Sequence, residues 1–291
     1  MTEKIRKIVT VILGTVFIVS TVLLIGRCFD LAESADSNQA AEELAARPRE
    51  TLTAEPSPTE PEAAASDGSA PTESPVVWVA APVEEDEHMK KLKEINLDAL
   101  REKNPNVVGW VFVPNCKINY PIVQGEDNEH YLDYTWDNRK SIAGAIFIES
   151  TNAPDFSDFR TIVYGHNMAD SSMFGSLHRF EKKAYWEQNP YVYLVTDEGV
   201  FRYEIYSSYR ADVESDTYVL NLTDEARKAA FIKLTKDEAL YDTGITPETT
   251  DRILTLSTCV GNVSRRRVVH ARLPMIQVEM KTDSPQAENL Q

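Results

Sequence analysis

Residues 8–26 form an unbroken apolar run, preceded by Lys4, Arg6 and Lys7 and closed by Arg27. As a helix the run covers roughly 28 Å, close to the hydrocarbon thickness of a bilayer. A cleaved signal peptide would have a shorter apolar region followed by a small-residue cleavage site. Here Arg27-Cys28-Phe29-Asp30 follows instead. The pattern therefore predicts an uncleaved, single-pass anchor over residues 1–29. Its N-terminal charge predicts a cytoplasmic N-terminus with the downstream chain outside the cell.

From 30 to 86 the pattern dissolves into Ala, Glu, Ser, Thr and Pro, as in Glu55-Pro56-Ser57-Pro58-Thr59-Glu60-Pro61-Glu62. Such a composition buries too little apolar surface to offset its ordering entropy, so a flexible linker is expected. Periodicity returns near Glu87. Met89, Leu92, Ile95, Leu97 and Leu100 recur at mostly helical spacing, predicting an amphipathic helix or helix pair over 88–103. Short apolar and β-branched runs then follow at 107–113, 118–124, 143–149, 161–164, 191–196, 201–209, 253–259 and 268–280, divided by turn residues. Helical patterns interrupt them at 172–188 and at 223–237, where Thr223 is the N-cap candidate. The whole reads as one mainly β domain over 87–281, a barrel or sandwich with peripheral helices, and a disordered tail over 282–291.

Composition narrows the function classes. The formal net charge of −16 over 291 residues argues against nucleic acid as a partner. The three cysteines, Cys28, Cys116 and Cys259, lie too far apart for metal-ligand spacing. No nucleotide loop or cofactor motif stands out, so neither metal nor cofactor is expected.

One stretch concentrates chemistry. In 252–259 Leu254 and Leu256 alternate with Thr255, Ser257 and Cys259, so the thiol sits on the face opposite the core face. Arg265, Arg266 and Arg267 follow closely, an electropositive setting that favours thiolate. Against this stands the common role of free cysteine as a small buried hydrophobe. A cysteine nucleophile needs a nearby proton shuttle. Of the histidines His88, His130, His166, His178 and His270, His166 follows an apolar strand where it opens through Gly165 into a loop.

Several ordered blocks resemble a class B sortase. They are Val108-Gly109-Trp110-Val111-Phe112-Val113-Pro114, Ile118-Asn119-Tyr120-Pro121-Ile122-Val123-Gln124-Gly125, Tyr164-Gly165-His166-Asn167-Met168 and Thr255-Leu256-Ser257-Thr258-Cys259. Asp127-Asn128, Tyr131-Leu132, Gly144-Ala145-Ile146-Phe147 and Ser172-Met173-Phe174-Gly175 continue the likeness. The resemblance implies a closed eight-stranded β-barrel and a membrane-anchored cysteine transpeptidase on the outer face of a Gram-positive cell. Such an enzyme cleaves a C-terminal sorting signal after threonine and passes the acyl group to an amine of the cell wall or of a pilin subunit. It further implies Cys259 as nucleophile, His166 as the acid, and an arginine early in the last strand for the oxyanion. Asn128, Leu132, Tyr164, Tyr218, Val219 and Ser257 match substrate-cleft positions.

Two strand registers compete for that arginine. If Arg266 faces the cleft, so do Val268, His270 and Arg272, and Val269, Ala271 and Leu273 fill the barrel. If Arg267 does, the faces exchange, and polar groups are buried without named partners, which is costly. The burial argument and the family register both select Arg266. Arg267 stands where the family usually has an apolar residue, and Val260 where some relatives have a polar one, so the sorting motif stays open. A catalytically silent binding module and a hydrolytic cysteine endopeptidase are the rival functions.

Overall fold

The computed structural model describes residues 3–48, 76–260 and 262–279. In chain order its elements are α1 (Glu3–Ala45), β1 (Val76–Ala80), α2 (Glu87–Leu92), α3 (Leu97–Arg101), β2 (Val107–Val113), β3 (Ile118–Val123), α4 (His130–Asp133), β4 (Ile146–Ile148) and β5 (Arg160–Gly165). A 3-10 helix (Gly175–Glu181) then leads into α5 (Lys183–Gln188), β6 (Tyr191–Thr196), β7 (Gly199–Asp212), α6 (Glu225–Asp237), β8 (Arg252–Val260), β9 (Asn262–Leu273) and β10 (Met275–Glu279).

Eight strands close into a barrel in the order β2-β3-β4-β5-β8-β9-β7-β6. The pairs β3–β4 and β5–β8 are parallel and the other ladders around the ring are antiparallel. Closure removes the exposed edges that an open sheet would carry. The interior is filled by alternate residues of each strand, among them Val111, Ile205, Leu254, Leu256, Val269, Ala271 and Leu273. This is the inward set that goes with an outward Arg266, so β9 adopts the first of the two registers. Pro274, which cannot donate to a ladder, separates β9 from β10, splitting the run expected over 268–280.

Other differences are local. The pattern at 172–188 resolves into the 3-10 helix and α5 rather than one helix, the two meeting at extended Lys182. The N-cap of α6 is Asp224, whose carboxylate accepts from the Arg227 amide, rather than Thr223. An aspartate one residue nearer the helix matches the capping geometry, and its charge suits the helix N-terminus.

The largest departure lies in the linker. Instead of ending near Phe29, α1 runs on to Ala45, and Ser34, Ser37, Ala41 and Ala45 are buried against the domain. At the linker's other end, β1 pairs antiparallel with β10. The helical part arises because Ala, Ser and Glu are tolerated in a helix once tertiary contacts reward it, and the strand because Val76-Val77-Trp78-Val79-Ala80 is a β-forming run inside the stretch assigned to the linker. Residues 49–75 lie outside the described residues, as does the tail from 280. The N-terminal part of α1 is the one helix among the described residues long and apolar enough to cross a membrane. Val11, Leu13, Phe17 and Leu24 there are all more than half exposed.

α6 packs over the outer face of the barrel through Phe231 and Ile232, against Tyr206 and Ile253. Beneath it His270 is wholly buried. Its Nδ1 lies 3.0 Å from Thr255 Oγ1, its Nε2 is 3.2 Å from Tyr209 Oη, and Phe231 packs edge-on to its ring. It thus shares a strand face with Arg266 but is covered by α6, not open to a cleft. Burial, helped by the positive charge of Arg160, pushes its pKa down to about 3. The unfolded chain therefore binds a proton at His270 below pH ~6.5 that the folded chain refuses, and stability falls as pH drops through that window. Between pH 7 and 5 this side chain removes roughly 2 kcal/mol of stability. Urea unfolding of His270→Gln should show the wild type losing its lead over the variant by about that amount. Parallel pH dependences of the two proteins would refute it.

Candidate active site

β5 and β8 run side by side in parallel, and their last paired residues are Gly165 and Thr258. His166 and Cys259 are the next residue on each chain. On the other side of β8, Cys259 pairs across the ladder with Arg266 of β9. Histidine, cysteine and arginine are thus neighbours in backbone register, brought together from three strands.

Gly165 fits here because a Cβ would lie 2.5 Å from Ile146 Cδ1 and 2.9 Å from the Phe174 ring. Only a glycine lets the chain turn from strand to loop beneath those side chains. His166 Nε2 donates to the Leu132 carbonyl oxygen at 2.8 Å, which fixes the ring and keeps a proton on that nitrogen. Gly144 packs against the same carbonyl: its φ is 57°, and a Cβ there would lie 2.6 Å from the Leu132 carbonyl oxygen.

A cleft of about 280 Å³ opens here, lined by Asn128, Leu132, Glu149, Tyr164, His166 and Arg266 among others, with Tyr218 and Val213 closing one side. It therefore gathers most of the residues expected from the sequence. Two expected residues are not part of its lining. Ser257 is fully buried and lies 2.8 Å from Tyr218 Oη, so it supports the tyrosine rather than facing the cleft. Val219 is 44 % exposed and is not among the lining residues. Larger hollows exist elsewhere, about 790 Å³ beside α1 and about 360 Å³ beside Arg160. Neither is lined by a histidine.

Two supporting side chains were not legible in the sequence. Glu149, only 6 % exposed, accepts from Asn128 Nδ2 at 2.6 Å and from Tyr164 Oη at 3.0 Å. Burial, and then the Glu149 charge, push the Tyr164 phenol well up, so it stays a donor. The second is Arg160, 4 % exposed, which donates to the carbonyl oxygens of Thr217 and Val219 and sits over the Phe231 ring at 4.9 Å. A guanidinium serves because its planar fork can hold two carbonyls at once. It fixes the loop that carries Tyr218. Neither residue lies in a motif, and only the folded chain brings them to their partners.

Arg267 takes the inward side of β9 at its open end, where its guanidinium binds Glu181 at 2.6 Å. Glu181 also binds Arg210 at 2.7 Å, and both arginines hold its carboxyl below the usual range against the opposing effect of burial. Arg267 is thereby committed to an ion pair, whereas Arg266 lines the cleft. Arg272, on the Arg266 face, is bound at the far end by Glu204 and Asp251, away from the cleft. Of the other thiols, Cys28 is exposed on α1. Cys116 lies 3.1 Å from Tyr185 Oη, and burial pushes its pKa up. No group of three or more metal-ligating side chains occurs among the described residues.

A family profile for the sortase domain matches residues 111–274. The chain belongs to the sortase family, in its class B. It is 31% identical over 160 residues to sortase B of Listeria monocytogenes, covering 55% of this chain and 65% of that protein, just under two thirds of its length. Sortase B of Staphylococcus aureus is 26% identical over 179 residues, 60% of this chain and 73% of that one. Among solved structures, Clostridium perfringens sortase B superposes with a TM-score of 0.58 at 31% identity, covering 62% of this chain and 100% of that one. A Staphylococcus aureus sortase B–substrate complex gives a TM-score of 0.58 at 26% identity, covering 63% and 85%. The eight-stranded barrel of this sortase is thus the family fold.

The role of Arg160 has a direct consequence. Arg160→Lys keeps the charge but cannot hold both carbonyls, so amide exchange over 215–222 should quicken. The unfolding free energy should fall by about 1–3 kcal/mol. Hydrogen-exchange mass spectrometry reads the first, and unchanged exchange there would remove Arg160 as the holder of this loop.

Proposed function

We propose that this sortase is a membrane-anchored cysteine transpeptidase. It cleaves a sorting signal after threonine and transfers the acyl group to an amine of the cell wall or of a pilin subunit. The register that makes Cys259 a neighbour of both His166 and Arg266 carries this reading. In this scheme the Cys259 thiolate attacks the threonine carbonyl carbon. The tetrahedral oxyanion draws on the Arg266 guanidinium, a fixed charge in a cleft partly screened from water. Collapse breaks the C–N bond as His166 delivers a proton to the departing amine, leaving a thioester on Cys259. An incoming amine then attacks the thioester, gives up a proton to His166 and restores the thiolate. Asn128, Leu132, Tyr164 and Tyr218 would contact the signal, with Ser257 acting through Tyr218 and Val219 at the cleft's outer margin. The likeness to a sortase B solved with its substrate supports a peptide as the bound species. An N-terminus inside the cell and the barrel outside follow from the charge before the apolar run.

Four variants of the full-length protein, each first shown to be folded, test these roles. Cys259→Ala should form no acyl-enzyme, since Cys116 is half-buried with a raised pKa and Cys28 lies on α1. His166→Ala should still be alkylated slowly at Cys259 yet fail to turn over. Arg266→Lys should lose on the order of a hundredfold in rate, as for removal of an oxyanion donor. Arg267→Lys should lose stability through its contact with Glu181 but keep most of its turnover. A normal Arg266→Lys enzyme beside a crippled Arg267→Lys enzyme would reverse the assignment. Amine-dependent product separates transfer from hydrolysis; release only of free acid would make this an endopeptidase.

Within the cleft, Glu149→Gln keeps the volume but removes the charge that Asn128 and Tyr164 bind. KM for a sorting-signal peptide should rise several-fold, while the alkylation rate of Cys259 by a small reagent changes little. An unchanged KM would confine Glu149 to a structural role.

A further inference from the structure

The contacts of α1 point to a property beyond anchoring. Ser34, Ser37, Ala41 and Ala45 are all buried and recur at three- and four-residue spacing, one stripe of small side chains along the helix. Polar contacts from three separate parts of the domain lock that stripe. Trp136 Nε1 donates to the Ser37 carbonyl at 2.8 Å, and Ser37 Oγ donates to Asp137 at 2.6 Å. Asn119 Nδ2 donates to Glu42 at 2.8 Å, and the Asn96 amide donates to the Ala45 carbonyl at 2.8 Å. Contacts from separate elements fix a helix in translation and in rotation, as a single contact would not.

The docked part is continuous with the apolar part. Ser141 Oγ reaches the Asp30 carbonyl at 3.4 Å. Asp30 is four residues beyond Gly26, the end of the apolar run, which is about 6 Å along a helix axis. Beside that contact Ile142 is 44 % exposed, Lys140 is exposed, and Phe29 and Leu31 are exposed on the helix itself. An apolar side chain flanked by a lysine at that height suits a lipid interface, with the ring and aliphatic groups at the acyl boundary and the ammonium among phosphates.

We propose that the catalytic barrel is mounted rigidly on its membrane helix, so that the 139–142 loop rests against the lipid headgroups. The proposal rests on the anchor reading given above. The mount matters because the chain carries a net charge of −16, and an anionic membrane would push a loosely tethered domain away. It also bears on the site. The segment that binds α1, from Thr135 to Ser141, directly follows α4 and Leu132, whose carbonyl holds His166. The acid's wall of the cleft is therefore the wall tied to the membrane helix.

The test uses the full chain reconstituted into vesicles carrying a nitroxide on the phospholipid headgroup. A fluorophore is placed at Ile142→Cys, or at Leu240→Cys as a control, in a background of Cys28→Ser, Cys116→Ser and Cys259→Ala. Leu240 is 53 % exposed beyond the end of α6. Quenching should be several-fold stronger at 142 than at 240. A second protein, with Ser37→Cys and Asp137→Cys in the same background, should close a disulfide under mild oxidation. Should Ile142→Cys fold poorly, Lys140→Cys carries the label. Equal, weak quenching in an embedded chain, or failure of the disulfide to form in folded protein, overturns the rigid mount and leaves the anchor standing. A chain that stays out of the vesicles overturns both.

Discussion

Everything at the site depends on one ladder position, the parallel pairing of Gly165 with Thr258. Parallel strands carry their side chains in step, so the residues just past that pair emerge on the same end of the sheet. A slip of one residue would exchange the inner and outer faces and put Arg267 in the place of Arg266. What prevents the slip is the interior itself. Leu254, Leu256, Val269, Ala271 and Leu273 are essentially fully buried, and the slip would expose all of them at once. At roughly 1.5–3 kcal/mol for each large apolar side chain, that cost far exceeds anything the site residues contribute. Chemistry at the rim is thus held in place by packing in the middle.

The same division decides what the sequence could reveal. Leu254 and Leu256 alternating with Thr255 and Ser257 made the strand and its faces readable, and so did Val269, Ala271 and Leu273 in β9. Faces could be read; covers could not. Alternation puts His270 on the face of Arg266, where it lies, but that face is not open to the cleft there, because the fold places Phe231 of α6 above it. Likewise Arg267 reads as an ill-placed charge until Glu181 arrives from the 3-10 helix, 86 residues away along the chain. Local pattern encodes direction, whereas the partner of a buried charge is a non-local fact.

Glu149 and Arg160 are the sharper instance. Each is a buried charge serving the cleft, and among the described residues neither lies within ion-pair distance of an opposite side-chain charge. Glu149 accepts from an amide and a phenol, and Arg160 donates to two backbone carbonyls. Burying a charge with neutral partners costs more solvation than burying a neutral group, so a core built for stability alone would avoid both. What a charge supplies here is stiffness, since hydrogen bonds to charged groups are stronger and more directional. The two sides of the cleft, Asn128 with Tyr164 and the loop of Tyr218, are each fixed by one such group.

The helix α1 shows why composition misleads at a boundary. Residues 30–45 contain the alanines, serines and glutamates of an unstructured linker, and as an isolated segment they would have little reason to order. Their order is decided by what lies on either side. An apolar helix precedes them, so the nucleation cost of a new helix has already been met upstream and each further residue need only propagate. The domain then offers Trp136, Asn119 and Asn96 as partners along one face. Small side chains, which carry no hydrophobic signal, are what allow the close approach. A stripe of Ser34, Ser37, Ala41 and Ala45 is therefore silent to any reading based on apolar periodicity, although it is the face that joins the apolar helix to the barrel.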